Sequence, residues 1–163
     1  MDMLVNLSLL PEAACPKGYS IVRVLPPDRA RVLAFVRENF GENWESECGT
    51  ALAQLPCRCL AAVKDGEIVG FACYDTTALG FFGPRGVKAS CREKGLGRAL
   101  LISALRAMRE TGYGYAVIGW CDEKEAFYRR AVGAWPIPNS APQNSVYRDL
   151  FRFQREKDGS AKE

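Results

Sequence analysis

Near its middle the chain changes its repeat within about ten residues. An apolar, strand-like run ends at Val87 and passes through Lys88-Ala89-Ser90-Cys91-Arg92-Glu93-Lys94-Gly95 into Leu96, Leu100, Ala104, Leu105 and Met108, which recur at helical spacing. Arg98, Arg106, Arg109 and Glu110 take the rest of the turn, so one face of this helix is apolar and the other charged. Gly112-Tyr113-Gly114 closes the helix, and Tyr115-Ala116-Val117-Ile118-Gly119-Trp120 reads as a buried strand. Strand, helix and strand in that order make a parallel crossover, which puts the chain in the α/β class.

The helix is expected to start near Gly95. Its first amides have no intrahelical acceptor, and Gly95 and Gly97, lacking a Cβ, let a ligand come close to them. Arg92, Lys94 and Arg98 crowd the positive end of the helix dipole, where each cation costs about 0.3–1 kcal/mol and only Glu93 offsets them. An anion bound at the turn would resolve that crowding. A lone Gly-x-Gly also reads as a solvated basic cap, so the rest of the chain has to decide.

At 163 residues the chain fits one domain that buries about 70% of its unfolded surface. A net charge of +3 is too small to imply nucleic acid. No run reaches the ~18 apolar residues of a membrane span, and Met1 to Cys15 carries Asp2 and no basic segment, so a cytoplasmic protein is expected. Seven cysteines (15, 48, 57, 59, 73, 91 and 121) form no Cys-x-x-Cys pair, and histidine is absent. Neither a disulfide framework nor a zinc site is expected, and no metal. The cysteines read as buried thiols in a reducing compartment, with Cys57 and Cys59 on one face of a strand. Without histidine, the usual neutral-pH base and every Ser-His or Cys-His nucleophile are missing.

Residues 1–17, with Pro11 and Pro16, read as a loosely attached lead-in, residues 18–153 as the single domain and 154–163 as a frayed, flexible tail. Tyr19 to Leu25 reads as a strand. Pro26-Pro27-Asp28 then opens a helix striped by Val32, Leu33, Val36 and Phe40, and a shorter helix follows over Asn43 to Gln54. Arg58 to Lys64 and Glu67 to Tyr74, joined by Asp65-Gly66, spell a hairpin with a type I′ turn. Ala78 to Val87 extends the meander, but Pro84 has no amide donor, so a bulge or break is expected there. If this strand diverges from its next neighbour beyond Pro84, its backbone becomes free for an extended ligand. Glu123 to Val132 is a short helix, and Trp135–Ile137 with Val146–Phe153 read as an antiparallel pair finishing the sheet.

With a bulged strand, a basic glycine turn and Ala126-Phe127-Tyr128-Arg129-Arg130-Ala131-Val132-Gly133-Ala134 one strand later, the chain resembles the GNAT superfamily of acyl-CoA-dependent N-acyltransferases. Arg92-Glu93-Lys94-Gly95-Leu96-Gly97 matches its Arg/Gln-x-x-Gly-x-Gly/Ala motif, and Phe127, Tyr128 and Gly133 match its later Phe-Tyr-x-x-x-Gly pattern. The resemblance covers about Tyr19 to Phe153. It implies a mixed, mostly antiparallel sheet of six to seven strands, splayed between the fourth and fifth and flanked by about four helices. It further implies acetyl-CoA as co-substrate, with Arg92, Lys94, Gly95, Leu96, Gly97 and Arg98 around its pyrophosphate and Val87, Lys88 and Ala89 along its pantetheine arm.

In the same resemblance Tyr128 stands where a general acid is often found. A phenol, ordinarily of pKa about 10, can protonate a departing thiolate whose conjugate acid lies near 8.5. The reaction implied is direct attack of a primary amine on the thioester in a ternary complex, with a small-molecule amine as acceptor, no nucleic acid or membrane partner, and a homodimer left open. Glu45, Asp75, Asp122 and Glu123 are candidates for taking the amine's proton, and Trp44, Glu45, Trp120 and Trp135 for lining the acceptor site. The ending Val132-Gly133-Ala134-Trp135 is longer than the family's, which puts the acceptor rather than the coenzyme in question. The alternative is a non-catalytic acyl-CoA sensor or docking module, which would keep the glycine turn and dispense with Tyr128. A Walker-type phosphate loop and a dinucleotide fingerprint are both excluded, the latter by Leu100 where a third glycine is needed.

Overall fold

The computed structural model describes residues 1–92 and 94–151. Seven strands form one sheet: β1 (Met3–Asn6), β2 (Ser20–Arg23), β3 (Cys59–Lys64), β4 (Glu67–Tyr74), β5 (Phe81–Val87), β6 (Tyr115–Ile118) and β7 (Trp135–Pro136). The helices are α1 (Arg29–Phe40), α2 (Glu42–Leu52), α3 (Leu96–Thr111) and α4 (Glu125–Val132). The sheet order is β2-β3-β4-β5-β6-β1-β7, and only β5 and β6 are parallel. Among the described residues no helix is long and apolar enough to cross a membrane.

Strands β3 and β4 are apolar on both faces because both faces are covered. Cys59, Ala61, Phe71 and Cys73 pack with Val32, Val36, Cys48 and Leu52 of α1 and α2. The alternate residues Leu60, Ala62, Ala72 and Tyr74 join Leu96, Leu100, Leu105 and Met108 of α3 on the other face. The hairpin between β3 and β4 turns at Asp65 (φ +51°) and Gly66 (φ +79°), the two positive φ angles a type I′ turn requires. Helix α3 ends at Gly112 in the left-handed region, as the glycine there implied.

One half of the sheet departs from the sequence expectation. Residues 1–17 are not loosely attached throughout: β1 lies between β6 and β7, antiparallel to both, with Met3, Val5 and Leu7 completely buried. It takes the place foreseen for Val146–Phe153, of which Val146–Asp149 winds into a 3-10 turn and 152–153 lie outside the described residues. Met3 and Val5 already alternate as a half-buried strand should, and Pro11 and Pro16 fall after that strand, where they interrupt nothing. Of the tail expected over 154–163, no residue is among those described.

Candidate functional site

The site grows out of the point where β5 loses its second neighbour. Strands β5 and β6 pair only at Phe81–Val117 and Phe82–Ile118. Gly83 (φ +119°) and Pro84 follow, and the β4–β5 register shifts between Ala72 and Tyr74, so the bulge expected at Pro84 is present. Beyond it β5 stays on β4 through Arg85, Gly86 and Val87, while the chain after β6 turns away at Trp120. Counting strands from β2, this is the gap between the fourth and fifth.

On that open flank the Val87 carbonyl accepts a hydrogen bond from Arg92 Nε at 3.0 Å. Lys88 is differently placed: its N–H donates to the Val69 carbonyl (2.8 Å) and its carbonyl accepts from the Cys91 N–H (2.8 Å). Both peptide groups of Lys88 are therefore engaged within the protein. The Ala89 carbonyl accepts from the Arg92 N–H at 3.4 Å, closing a short 3-10 turn.

Helix α3 opens at Gly95, which is left-handed (φ +79°, ψ −3°), and no side chain caps it. The Ala99 N–H bonds the Gly95 carbonyl, which leaves the amides of Leu96, Gly97 and Arg98 as the uncapped donors of the first turn. Leu96 sends its side chain into the core and offers the site only its peptide. Lys94 is exposed, and Glu93 lies outside the described residues. Arg98, about 100° round the helix from Gly97, lines a separate cavity of about 230 Å3 with Arg130, Trp135 and Asn6.

The space that a side chain at Gly97 would need is held by Arg85 Nη1, with Val87 Cγ2 3.7 Å from the same point. The Arg85 guanidinium lies 4.9 Å from the ring centroid of Phe127 and 5.9 Å from that of Tyr128, wedging it between the start of α3 and α4. Its Nε is enclosed and has no hydrogen-bond partner, and no carboxylate pairs with Arg85 among the described residues. Burial draws the Lys124 ammonium below its ordinary pKa, and the charges of Arg85 and Arg92 draw it further. Arg85, Arg92 and Lys124 thus share one field at the positive end of α3, where Glu123 is the acid acting on Lys124 among the described residues.

Sequence reading did not single out Arg85 or Lys124. The signals were there: Arg85 lies two residues before Val87 and so on the same face of the strand, and Lys124 is a cation placed just before a helix start. Together these groups gather cationic side chains and uncapped amides at one point, the start of α3. Tyr128 is buried in α4 with its ring 5.2 Å from that of Phe127, and its hydroxyl has no hydrogen-bond partner among the described residues.

The expected acids and aromatics do not converge. Glu45 pairs with Arg37 (3.2 Å). Asp75, completely buried, pairs with Arg58 and accepts from the Tyr113 hydroxyl (3.0 Å) and the Gly80 N–H (2.7 Å). Asp122 pairs with the Met1 amine, which holds its carboxyl below the ordinary value, and Glu123 sits exposed beside Lys124. Trp44 packs on Phe40 and Phe71 in the α1–α2 core, and Trp135 lies across the sheet edge by Arg130. Only Trp120 stands at the mouth of the gap, 5.4 Å from the Tyr147 ring, which in turn meets Phe81 at 6.5 Å.

That aromatic group brings in one acid not anticipated. Glu47 accepts the Thr77 hydroxyl at 2.5 Å, and its charge reaches Tyr147. Burial, and after it the charges of Asp2 and Glu47, push the Tyr147 hydroxyl well above the ordinary phenol range. At the far side of β6, burial lifts the Cys121 thiol to about 11, so it is not a thiolate nucleophile at neutral pH.

A family model described as the acetyltransferase (GNAT) family matches residues 29–134. No curated protein matches the chain in sequence. Among solved structures, the fold is similar to that of a GCN5-related N-acetyltransferase from Sphaerobacter thermophilus, with a TM-score of 0.67 and 23% identity over 82% of this chain and 47% of that one. A GCN5-related N-acetyltransferase from Kribbella flavida gives a TM-score of 0.63 and 21% identity over 83% and 53%. The glucosamine N-acetyltransferase region of a fungal multi-domain GH3 β-N-acetylglucosaminidase gives 0.61 and 15% over 82% and 19%. The chain therefore spans about half or less of the length of these structures.

Proposed function

Because the chain belongs to the acetyltransferase (GNAT) family, whose model covers most of it, we propose that it transfers the acetyl group of acetyl-CoA to the primary amine of a small acceptor. The observation that carries this reading is the gathering of Arg85, Arg92 and Lys124 at the uncapped start of α3, with no carboxylate paired to Arg85 among the described residues. A diphosphate placed there takes the amides of Leu96, Gly97 and Arg98 and the free valence of Arg85. An extended arm leaving it follows the open flank of β5, where Val87 is the residue whose carbonyl can be released, by withdrawal of the Arg92 side chain. Lys88 contributes its side chain at most, since its peptide groups are engaged.

The amine nitrogen, neutral, attacks the thioester carbonyl; the C–N bond forms, the C–S bond breaks and the sulfur leaves as thiolate. Tyr128, below Arg85 on α4, donates its phenolic proton to that sulfur. The amine's surplus proton passes to Glu47 or to water on the side where Trp120, Tyr147 and Phe81 meet. The acetyl group passes directly from sulfur to nitrogen in the ternary complex, without an acyl-enzyme.

The experiment is release of free CoA from acetyl-CoA with a panel of amines: polyamines, amino acids, aminoglycosides and amino sugars. Turnover with intersecting initial-velocity patterns is expected for at least one of them. Tight acetyl-CoA binding with no turnover would instead identify a non-catalytic sensor.

A further inference from the structure

On the opposite face of the sheet from α3 and α4, three cysteines from three different elements meet. Cys48 of α2, Cys59 of β3 and Cys73 of β4 are each completely buried, and their sulfurs all lie within 4.8 Å of one another. The Cys48 and Cys59 sulfurs are 4.0 Å apart. Isolated buried cysteines normally pack against hydrocarbon as small apolar side chains; here the polarisable atoms face each other. Cys57, the fourth thiol of this core, turns its sulfur to the Cys59 carbonyl at 3.9 Å and stays outside the group.

A metal about 2.3 Å from each of three sulfurs in a trigonal plane sets those sulfurs about 4.0 Å apart, which is the Cys48–Cys59 separation. We propose that Cys48, Cys59 and Cys73 form a trigonal, all-sulfur site for Cu(I), pinning α2 to the sheet. Donor number and softness select the ion. A structural zinc site is almost always closed by four ligands, and the grouping found among the described residues supplies three. Full burial leaves no place for water to act as the fourth. Thiolates without nitrogen or oxygen donors favour Cu(I) among the common cellular ions. The Arg29 guanidinium acts on Cys48 and offsets part of the negative charge. Coordination replaces thiol protons, which leave to solvent, and involves no change of oxidation state.

The test is anaerobic loading of the full chain with Cu(I) buffered by bicinchoninate, both on the folded protein and during refolding from urea. One equivalent retained per chain is expected, with affinity reduced at least 100-fold in C48S, C59S and C73S and unchanged in C15S and C121S. X-ray absorption on the loaded wild-type chain needs no variant and should show three sulfurs at about 2.3 Å. Failure of the wild-type chain to retain copper by either route, equal retention in C73S, a two-sulfur shell, or retention of Zn(II) in preference to Cu(I) would each overturn the proposal.

Discussion

The carboxylate of Asp2 accepts the backbone N–H of Trp120 at 2.9 Å, joining the start of β1 to the end of β6. Its other oxygen accepts the Ser145 hydroxyl at 2.5 Å, and its own N–H donates to Ser140 Oγ at 2.8 Å. Asp2→Ala leaves two part-buried donors without their acceptor, each costing about 1–2 kcal/mol, the low end for a lost partner because water reaches them in part. Urea unfolding should therefore show a loss of about 2–4 kcal/mol at unchanged slope. Asp2→Asn, which keeps one acceptor, should lose less. A change within about 0.5 kcal/mol for the alanine variant would mean the N-terminal strand is held by its apolar residues alone.

Arg85→Ala removes the charge whose Nε has no partner among the described residues. Stability should change little, whereas affinity for acetyl-CoA should fall roughly 10- to 150-fold, the value of a charge-assisted hydrogen bond of about 1.5–3 kcal/mol. Gly97→Val meets Arg85 directly and should abolish coenzyme binding. Isothermal titration with CoA decides both.

Lys124→Met separates stability from binding by sign. The Lys124 pKa is lowered in the folded chain, by burial first and then by Arg85 and Arg92, so at neutral pH the folded state carries a charge that the unfolded chain holds more readily. Removing it should leave the free protein equally or more stable in thermal melts. CoA affinity should drop about tenfold and depend less steeply on salt. A variant both less stable and unaltered in binding would show the lysine to be a packing residue.

Tyr128→Phe keeps the ring beside Phe127 and under Arg85 and removes only the hydroxyl. Turnover should fall about 100-fold or more with acetyl-CoA affinity within about threefold. Equal losses in both would assign the residue to packing.

Cys121 has its pKa raised by burial from 9.0 to about 11. Between those values the unfolded chain has lost the proton that the folded chain keeps, so stability falls as pH rises through that window and is unaffected below it. Urea midpoints at pH 8 to 11 should fall more shallowly in C121S than in the wild type, while turnover at pH 8 stays within about twofold.

Much of this architecture was legible because local signals agreed. Asp65-Gly66 set a hairpin, Pro84 a bulge, Gly95 and Gly112 the two ends of α3, and each was found where it was read. What could not be read depended on contacts between distant parts of the chain. Four residues at Met3–Asn6 carry too short a pattern to declare that they insert between strands more than a hundred residues away. Arg85 in isolation is an arginine in a strand; only the approach of Gly97, Phe127 and Lys124 turns it into an unpaired charge. The grouping of Cys48, Cys59 and Cys73 likewise exists only after α2 is laid on the sheet.

The insertion of β1 also orders events during synthesis. Met3–Asn6 leaves the ribosome more than a hundred residues ahead of Tyr115–Ile118 and Trp135–Pro136, which form its docking slot. Its two edges of peptide hydrogen bonds stay unmatched throughout that interval, and the β6-β1-β7 half of the sheet closes as a late, long-range step. Anything that sequesters Met3–Asn6 as it emerges, such as a chaperone, would stall that closure while leaving the β2–β5 meander free to form.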